Sequence, residues 1–285
     1  MTVRKAVAIP IQPWFRDHAV SGQAIFPAVE SMLLLAEVAR EIVPGIAVTS
    51  MADAVFSRTL PIPQQGNELP VLVEYEEERQ DSRLQLKLLS KLQFKKMSRV
   101  IEHARITFGA APGENIVAEP SKPTDSPLII EAERIYGELV PFGPSYRSLV
   151  GPLLLWEGYA LGTLRVPPAV RPQAMEKEMG SPFPLDGAMH AACVLGQCTA
   201  GFVPFPVAFG RRDILQPTRA GEQYTATVTL VSCDAEEIRC DLALYDGKGN
   251  LCETVQDLQM RDISRGTLTP PRDLPRLRVS PPSPG

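Results

Sequence analysis

Three histidines and a few carboxylates carry the acid–base chemistry open to this chain. His18 heads the stretch His18-Ala-Val-Ser-Gly22-Gln-Ala-Ile-Phe26-Pro27. Asp186 and His190 stand four residues apart in Phe183-Pro-Leu-Asp186-Gly-Ala-Met-His190. At that spacing on a helix they share a face, and an imidazole one turn on can orient a carboxyl group. Asp186 also suits a helix N-cap, and the two roles are compatible. A neutral imidazole opposite a protonated carboxyl suits a β-elimination. The base takes a proton α to a carbonyl, and the acid protonates a departing β-hydroxyl. Apolar surroundings keep the imidazole neutral, while burial must raise the carboxyl pKa against the pull of a helix N-terminus. His103, in a strand-like run, reads as a packed histidine with a satisfied ring. Phe142-Gly143-Pro144 reads as a turn. Its amides either close the turn or offer an N–H to a substrate carbonyl.

These groups need elements to hold them. Gly22 permits a turn that a residue with a Cβ resists. Pro27 suits the first turn of a helix, where no N–H is needed. Val29, Met32, Leu33, Ala36, Ala39, Ile42 and Val43 then recur at helical spacing up to Pro44-Gly45. Leu34 and Leu35 make this helix apolar nearly all round, so it is expected to be enclosed. A second helix is predicted over 186–199, and a short one over 129–139. Strands are predicted over 48–60, 71–76, 83–91 and 100–108 in the first half. In the second half they fall near 149–156, 160–166, 203–209, 224–231, 238–245 and 251–260. Asp246-Gly-Lys-Gly-Asn250 marks a hairpin turn.

The halves repeat faintly. Phe26-Pro27 precedes Met32 as Phe183-Pro184 precedes Met189, and Phe56-Ser-Arg58 and Phe209-Gly-Arg211 follow the two helices. Each half reads as a buried helix, a strand, a loop and a strand meander. The expected fold is α+β, a double hotdog: two curved antiparallel sheets, each wrapped on a long central helix. The first hotdog spans 1–109, and a linker rich in Pro, Ser, Gly and Ala spans 110–127. The second hotdog spans 128–263, and a Pro-rich tail, 264–285, is expected to be disordered. Packed as pseudo-twofold copies, the halves would bring His18 and Asp186 to one cleft, from matching helix mouths.

Composition excludes other classes. The chain has 285 residues and a formal net charge of -4, and no Lys/Arg run exceeds two. No nucleic-acid-binding face is expected. No apolar run approaches ~18 residues, so no membrane span is expected. The N-terminus lacks an apolar run and cleavage site of the signal-peptide kind. The five cysteines form no C-x-x-C and read as buried, reduced thiols of a cytoplasmic protein. There is no Gly-rich phosphate loop and no G-x-S-x-G. A metal site from His18, His190 and Asp186 lacks an identifiable third nearby ligand, since only the last two are at helix spacing.

At these residues the chain resembles the dehydratase domains of modular polyketide synthases and multienzyme fatty-acid synthases. The H-x-x-x-G-x-x-x-x-P motif is intact as His18, Gly22 and Pro27. A Y-G-P-x-F-type segment is matched by Phe142-Gly143-Pro144-Ser-Tyr146, and H-P-x-L-L-D-x-x-x-[QH] by Ser181 to His190. The resemblance covers about residues 5–262. It implies a double hotdog that removes water from a 3-hydroxyacyl thioester carried on the phosphopantetheine arm of an acyl carrier protein. His18 would be the base and Asp186 the acid. His190 would orient Asp186, Gly22 and Pro27 would shape the His18 turn, and the Gly143 region would help place the thioester carbonyl. No cofactor of its own and no metal is implied. The carrier protein, other synthase domains and a second copy are the expected partners. Two departures stand out: Phe142 replaces the motif tyrosine, and Ser181 the histidine that opens the third motif. They bear on substrate preference and rate more than on reaction type. The rival readings are an enoyl isomerase or hydratase on the same scaffold, and a non-catalytic docking module.

Overall fold

The structure is a computed structural model and describes residues 1–76, 83–94, 97–111, 113, 123–167 and 175–277. The front half runs β1 (Thr2–Pro10), a 3-10 turn (Pro13–Asp17), β2 (Ala19–Val20), β3 (Gln23–Ala24), α1 (Ala28–Ile42), β4 (Ser50–Val55), β5 (Glu68–Glu76), β6 (Leu84–Phe94) and β7 (Met97–Phe108). The back half opens with β8 (Leu128–Ile130), α2 (Ala132–Arg134), which runs into a π turn (Ile135–Leu139), and a 3-10 turn (Pro144–Tyr146). Then come β9 (Leu153–Trp156), β10 (Tyr159–Arg165), α3 (Glu176–Met179) and α4 (Pro182–Thr199), followed by β11 (Phe205–Ile214), β12 (Gln223–Cys233), β13 (Glu237–Asp246) and β14 (Leu251–Arg261).

Periodicity explains the core. In β6 the alternate residues Leu84, Leu86 and Leu88 are buried, and Gln85 between them is exposed. Met32, Leu35, Ala36 and Ala39 of α1 are fully buried and Leu34 is half-buried, while Glu37 and Glu41 are exposed, so the helix is buried over most of its surface and not enclosed all round. Sixteen residues of the 18-residue α4 are buried, and α1 and α4 touch. A glycine lets α4 approach β10 closely: a Cβ on Gly187 would come within 2.8 Å of Leu164.

Two separate curved sheets, each wrapped on its own helix, were expected, and this is corrected. Among the described residues, twelve strands form one continuous sheet in the order β1-β5-β6-β7-β4-β11-β14-β13-β12-β10-β9-β8. The halves fuse where β11 pairs antiparallel with β4, from Ala208 opposite Val55 to Asp213 opposite Ser50. Either strand alone would leave an edge of unpaired N–H and C=O groups, and the junction satisfies both. The helices lie against this shared sheet, α1 on β6 and β7, and α4 on β10, β12 and β13. Counted outward from the β4–β11 junction, both arms repeat one order: junction strand, then the last, middle and first strands of a meander. The α+β class and the duplicated, double-hotdog arrangement stand on that symmetry.

The stretch 264–277, expected within a disordered tail, is docked. Leu274 is buried. The Leu277 N–H donates to Cys198 O (2.9 Å) and Arg276 to Gln197 O (2.8 Å). These bonds satisfy carbonyls at the C-terminal end of α4 that the helix leaves open. Most of the expected linker, and residues 278–285, lie outside the described residues.

Candidate active site

His18 sits at the foot of a small hairpin. β2 and β3 pair through Ala19–Ala24 and Val20–Gln23, around a two-residue turn in which Ser21 (φ 49°) and Gly22 (φ 78°) both have positive φ. A type I′ turn demands this, and Gly22 meets it without a Cβ penalty. The ladder extends to His18 and Ile25: Ile25 N–H donates to His18 O at 2.9 Å. The ring Nδ1 lies 3.1 Å from Ile25 O. A carbonyl only accepts, so Nδ1 carries the hydrogen and Nε2 keeps its lone pair. The ring is buried, stacked on Phe142 (centroids 4.3 Å) and edge-on to Tyr146 (5.1 Å). Burial lowers its pKa below the ordinary 6.5; the Asp186 carboxylate pulls it up and His190 pushes it further down.

Asp186 and His190 lie on α4 and are both buried. The helix begins earlier than predicted, at Pro182, with Ser181 as N-cap. Pro182 and Pro184 fall in the first turn, where no N–H is needed, so they start the helix where they were taken to precede it. Asp186 is therefore one turn inside and is not the N-cap. Its Oδ2 is 2.9 Å from His190 Nε2, a close contact whose ring is not aimed as a hydrogen bond requires. The other ring nitrogen, Nδ1, is 3.3 Å from the Tyr136 hydroxyl, and that oxygen accepts the Leu149 N–H at 2.8 Å. Burial raises the Tyr136 pKa and keeps its proton on. A hydroxyl that donates to Nδ1 leaves the Nε2 hydrogen on the Asp186 side.

The turn after Val140 is fully engaged. Phe142 N–H donates to Val140 O (2.7 Å), Gly143 N–H to Asp17 O (2.8 Å) and Tyr146 N–H to Gly143 O (3.1 Å). Ser145 N–H donates to the Asp17 carboxylate (2.9 Å). The Gly143 amide is thus engaged within the protein, which fits the turn-closing reading of this segment. Gly143 is also needed for contact: a Cβ there would stand 2.5 Å from the Asp17 carboxyl carbon. The residue before His18 is in this way bonded to the turn that carries Phe142, and Pro144 opens the 3-10 turn that buries Tyr146. Pro27 stands as N-cap of α1, one position before the helix proper, with no side-chain cap.

His18, Asp186 and His190 all line one cavity of about 750 Å³. Its exposed wall residues, Ser57, Arg58, Thr59, Pro61, Leu92, Ile263 and Arg265, mark the mouth. Phe142 lies among the buried residues between the two imidazoles, 5.1 Å from the His190 ring. Val140, Met189 and Cys193 line it near His190. Among the described residues no group of three or more His, Cys, Asp and Glu is placed to hold a metal. Sequence reasoning missed Ser90 and Arg58 in the wall. Ser90 was detectable in principle, because it continues the alternate positions Leu84, Leu86, Leu88 on the apolar face of β6. His103 has a satisfied ring, as expected, yet also lines this cavity.

Two family descriptions match the chain. The polyketide synthase dehydratase N-terminal domain matches residues 117–270, and the polyketide synthase dehydratase domain matches residues 3–91. No curated protein sequence matches it. Among solved structures, the dehydratase domain from the CurJ module of curacin polyketide synthase is 19% identical over 91% of each chain, with a TM-score of 0.72. The dehydratase domain of RzxB from Pseudomonas fluorescens is 16% identical over 90% of this chain and 94% of its own (TM-score 0.69). A trans-AT polyketide synthase dehydratase domain from Brevibacillus brevis is 19% identical over 91% and 93% (TM-score 0.70). At these identities the likeness is one of fold.

Proposed function

The chain belongs to the polyketide synthase dehydratase family, and on that premise we propose that it removes water from 3-hydroxyacyl thioesters to give 2-enoyl thioesters. The observation that carries this reading is the shared cavity: an imidazole with an open Nε2 and a buried carboxyl from opposite halves of the chain line it together. His18 Nε2 takes the proton α to the thioester carbonyl. Asp186 gives a proton to the β-hydroxyl, the C–O bond breaks, and water leaves. His190, held by Tyr136, orients Asp186. Gly22 and Pro27 set the hairpin and helix entry around His18, and Phe142 and Tyr146 keep its ring dry.

The developing charge on the thioester oxygen needs donors, and the first turn of α1 supplies them. Ala28 lines the cavity, and the Ala28 and Val29 N–H groups have no acceptor within the helix. The positive end of α1 favours an oxyanion there.

The substrate reaches the cavity on the phosphopantetheine arm of an acyl carrier protein, so the chemistry asks for no cofactor of the protein's own. Other synthase domains and a second copy of this chain are the further partners in this reading. Its place is the cytoplasm, where its five free cysteines stay reduced. No helix among the described residues is long and apolar enough to cross a membrane. The test is mass spectrometry of a 3-hydroxyacyl-loaded carrier protein incubated with the enzyme. Loss of one water is expected, and both His18→Ala and Asp186→Asn abolish it with the fold intact by circular dichroism. Retention of activity in either variant would refute the roles.

A further inference from the structure

One polar pair in the cavity wall has no part in the elimination. Ser90 on β6 and His103 on β7 both line the cavity, with Ser90 Oγ 2.7 Å from His103 Nε2. The other nitrogen, Nδ1, lies 3.2 Å from Arg58 O and 3.1 Å from Thr59 O. Two carbonyls can only accept, so Nδ1 bears the hydrogen and Nε2 does not. Ser90 must then donate its own proton to Nε2, and its oxygen is left with lone pairs and nothing to give. The backbone builds this arrangement. Leu88 pairs with Ala104 but Leu89 with Glu102, so His103 is the extra residue of a β-bulge. The bulge re-aims its side chain and lets Ile101 pair with Ser90 beyond it. The pair is flanked by apolar lining residues, Leu92 and Ile101.

We propose that Ser90 accepts a hydrogen bond from a secondary amide N–H of the pantetheine arm as the arm threads the cavity. The inference rests on the dehydratase reading for its choice of ligand. Position supports it. Leu92, two residues along the same face of β6, is 42% exposed at the mouth, and Ser90 is the next step inward. The acyl chain belongs further in, past His18 and Asp186, and the arm fills the stretch from the mouth to them. The arm carries two amides, and a pure acceptor held in a largely apolar wall matches an N–H that would otherwise be stripped of water.

The test uses S-butyl pantetheine, a thioether that cannot react, and two analogues in each of which one amide is replaced by an ester. With the wild-type chain, one ester analogue is expected to bind about 5- to 10-fold more weakly than the parent, the effect of one lost hydrogen bond. In Ser90→Ala the parent weakens by a similar factor and the gap between parent and ester closes to under about 2-fold. Ser90→Thr, which keeps the hydroxyl, restores it. Ester analogues that bind the wild-type chain as well as the parent would overturn the proposal. So would a gap that persists in Ser90→Ala, or no binding of the parent at all. Binding of the thioether without any loss of water from a loaded carrier protein would instead sink the dehydratase reading and leave this subsite standing.

Discussion

The imidazole of His18 and the phenyl ring of Phe142 are stacked with centroids 4.3 Å apart and planes tilted by 35°. An apolar ring thus covers the face of the proposed base, and it comes from the other half of the chain. Phe142→Ala removes that cover. Water then reaches the imidazole, the desolvation that lowers its pKa is relieved, and the pKa rises toward 6.5. The proposed base works only when neutral, so the acid limb of the kcat/KM profile moves to higher pH. Truncating the buried ring also costs about 3 kcal/mol of stability. An acid limb that does not move would show that the ring does not shield the base.

Stability itself should fall with acid in a window set by histidines. Burial lowers the pKa of both His18 and His103 below 6.5. Below pH 6.5 the unfolded chain takes up protons that the folded chain refuses. Stability is therefore full above 6.5 and is lost as pH falls through the two lowered values. The salt-bridged carboxylates Glu74 and Asp213, whose pKa values are also lowered, add losses only below about 4.5. Urea unfolding at pH 7.5, 6.5 and 5.5 should give a small loss over the first interval and a larger drop over the second. His103→Gln should shrink that drop, and equal stabilities at 6.5 and 5.5 would exclude the account.

Much of this was legible because it is local. The helical spacing behind Pro27 and the alternation of Leu84, Leu86 and Leu88 each write one element's buried face into a few residues. His18-x-x-x-Gly22 encodes its hairpin in the same way, through the φ that Gly22 must adopt. The unread features all depend on partners distant in the chain. Nothing in β4 or β11 alone says that they pair with each other and fuse the sheet. The Gly143 amide looks free until Asp17 arrives to accept it. The start of α4 lies at Pro182, four residues before the predicted one, because a first turn tolerates both Pro182 and Pro184. Ser90 joins His103 only through a bulge that shifts the register.

The Asp17–Gly143 contact predicts an unusually sensitive glycine. Gly143 has an ordinary φ of -69°, so alanine meets no backbone penalty there. The added Cβ would instead stand 2.7 Å from Asp17 Cβ and 2.5 Å from its carboxyl carbon and oxygen. Asp17 has little room to yield, because its carboxylate holds the Ser145 N–H and its carbonyl the Gly143 N–H. Gly143→Ala should cost about 1–3 kcal/mol and pull the His18 segment away from the turn. Denaturant unfolding reads the first effect and kcat the second. A variant as stable and active as the parent would show that the clasp is loose.

Tyr136 allows orientation of the acid to be separated from stability. Its hydroxyl receives the Leu149 N–H and reaches His190 Nδ1. Tyr136→Phe leaves a buried N–H without a partner, at about 1–3 kcal/mol, and frees the His190 ring to turn away from Asp186. We expect kcat to drop about 10-fold, a proton-transfer alignment effect, with KM little changed because no binding contact is lost. In a His190→Ala background the same substitution should cost stability again but take nothing more from kcat. Losses in kcat that add across the pair would mean that Tyr136 acts on the reaction by another route than the histidine it touches.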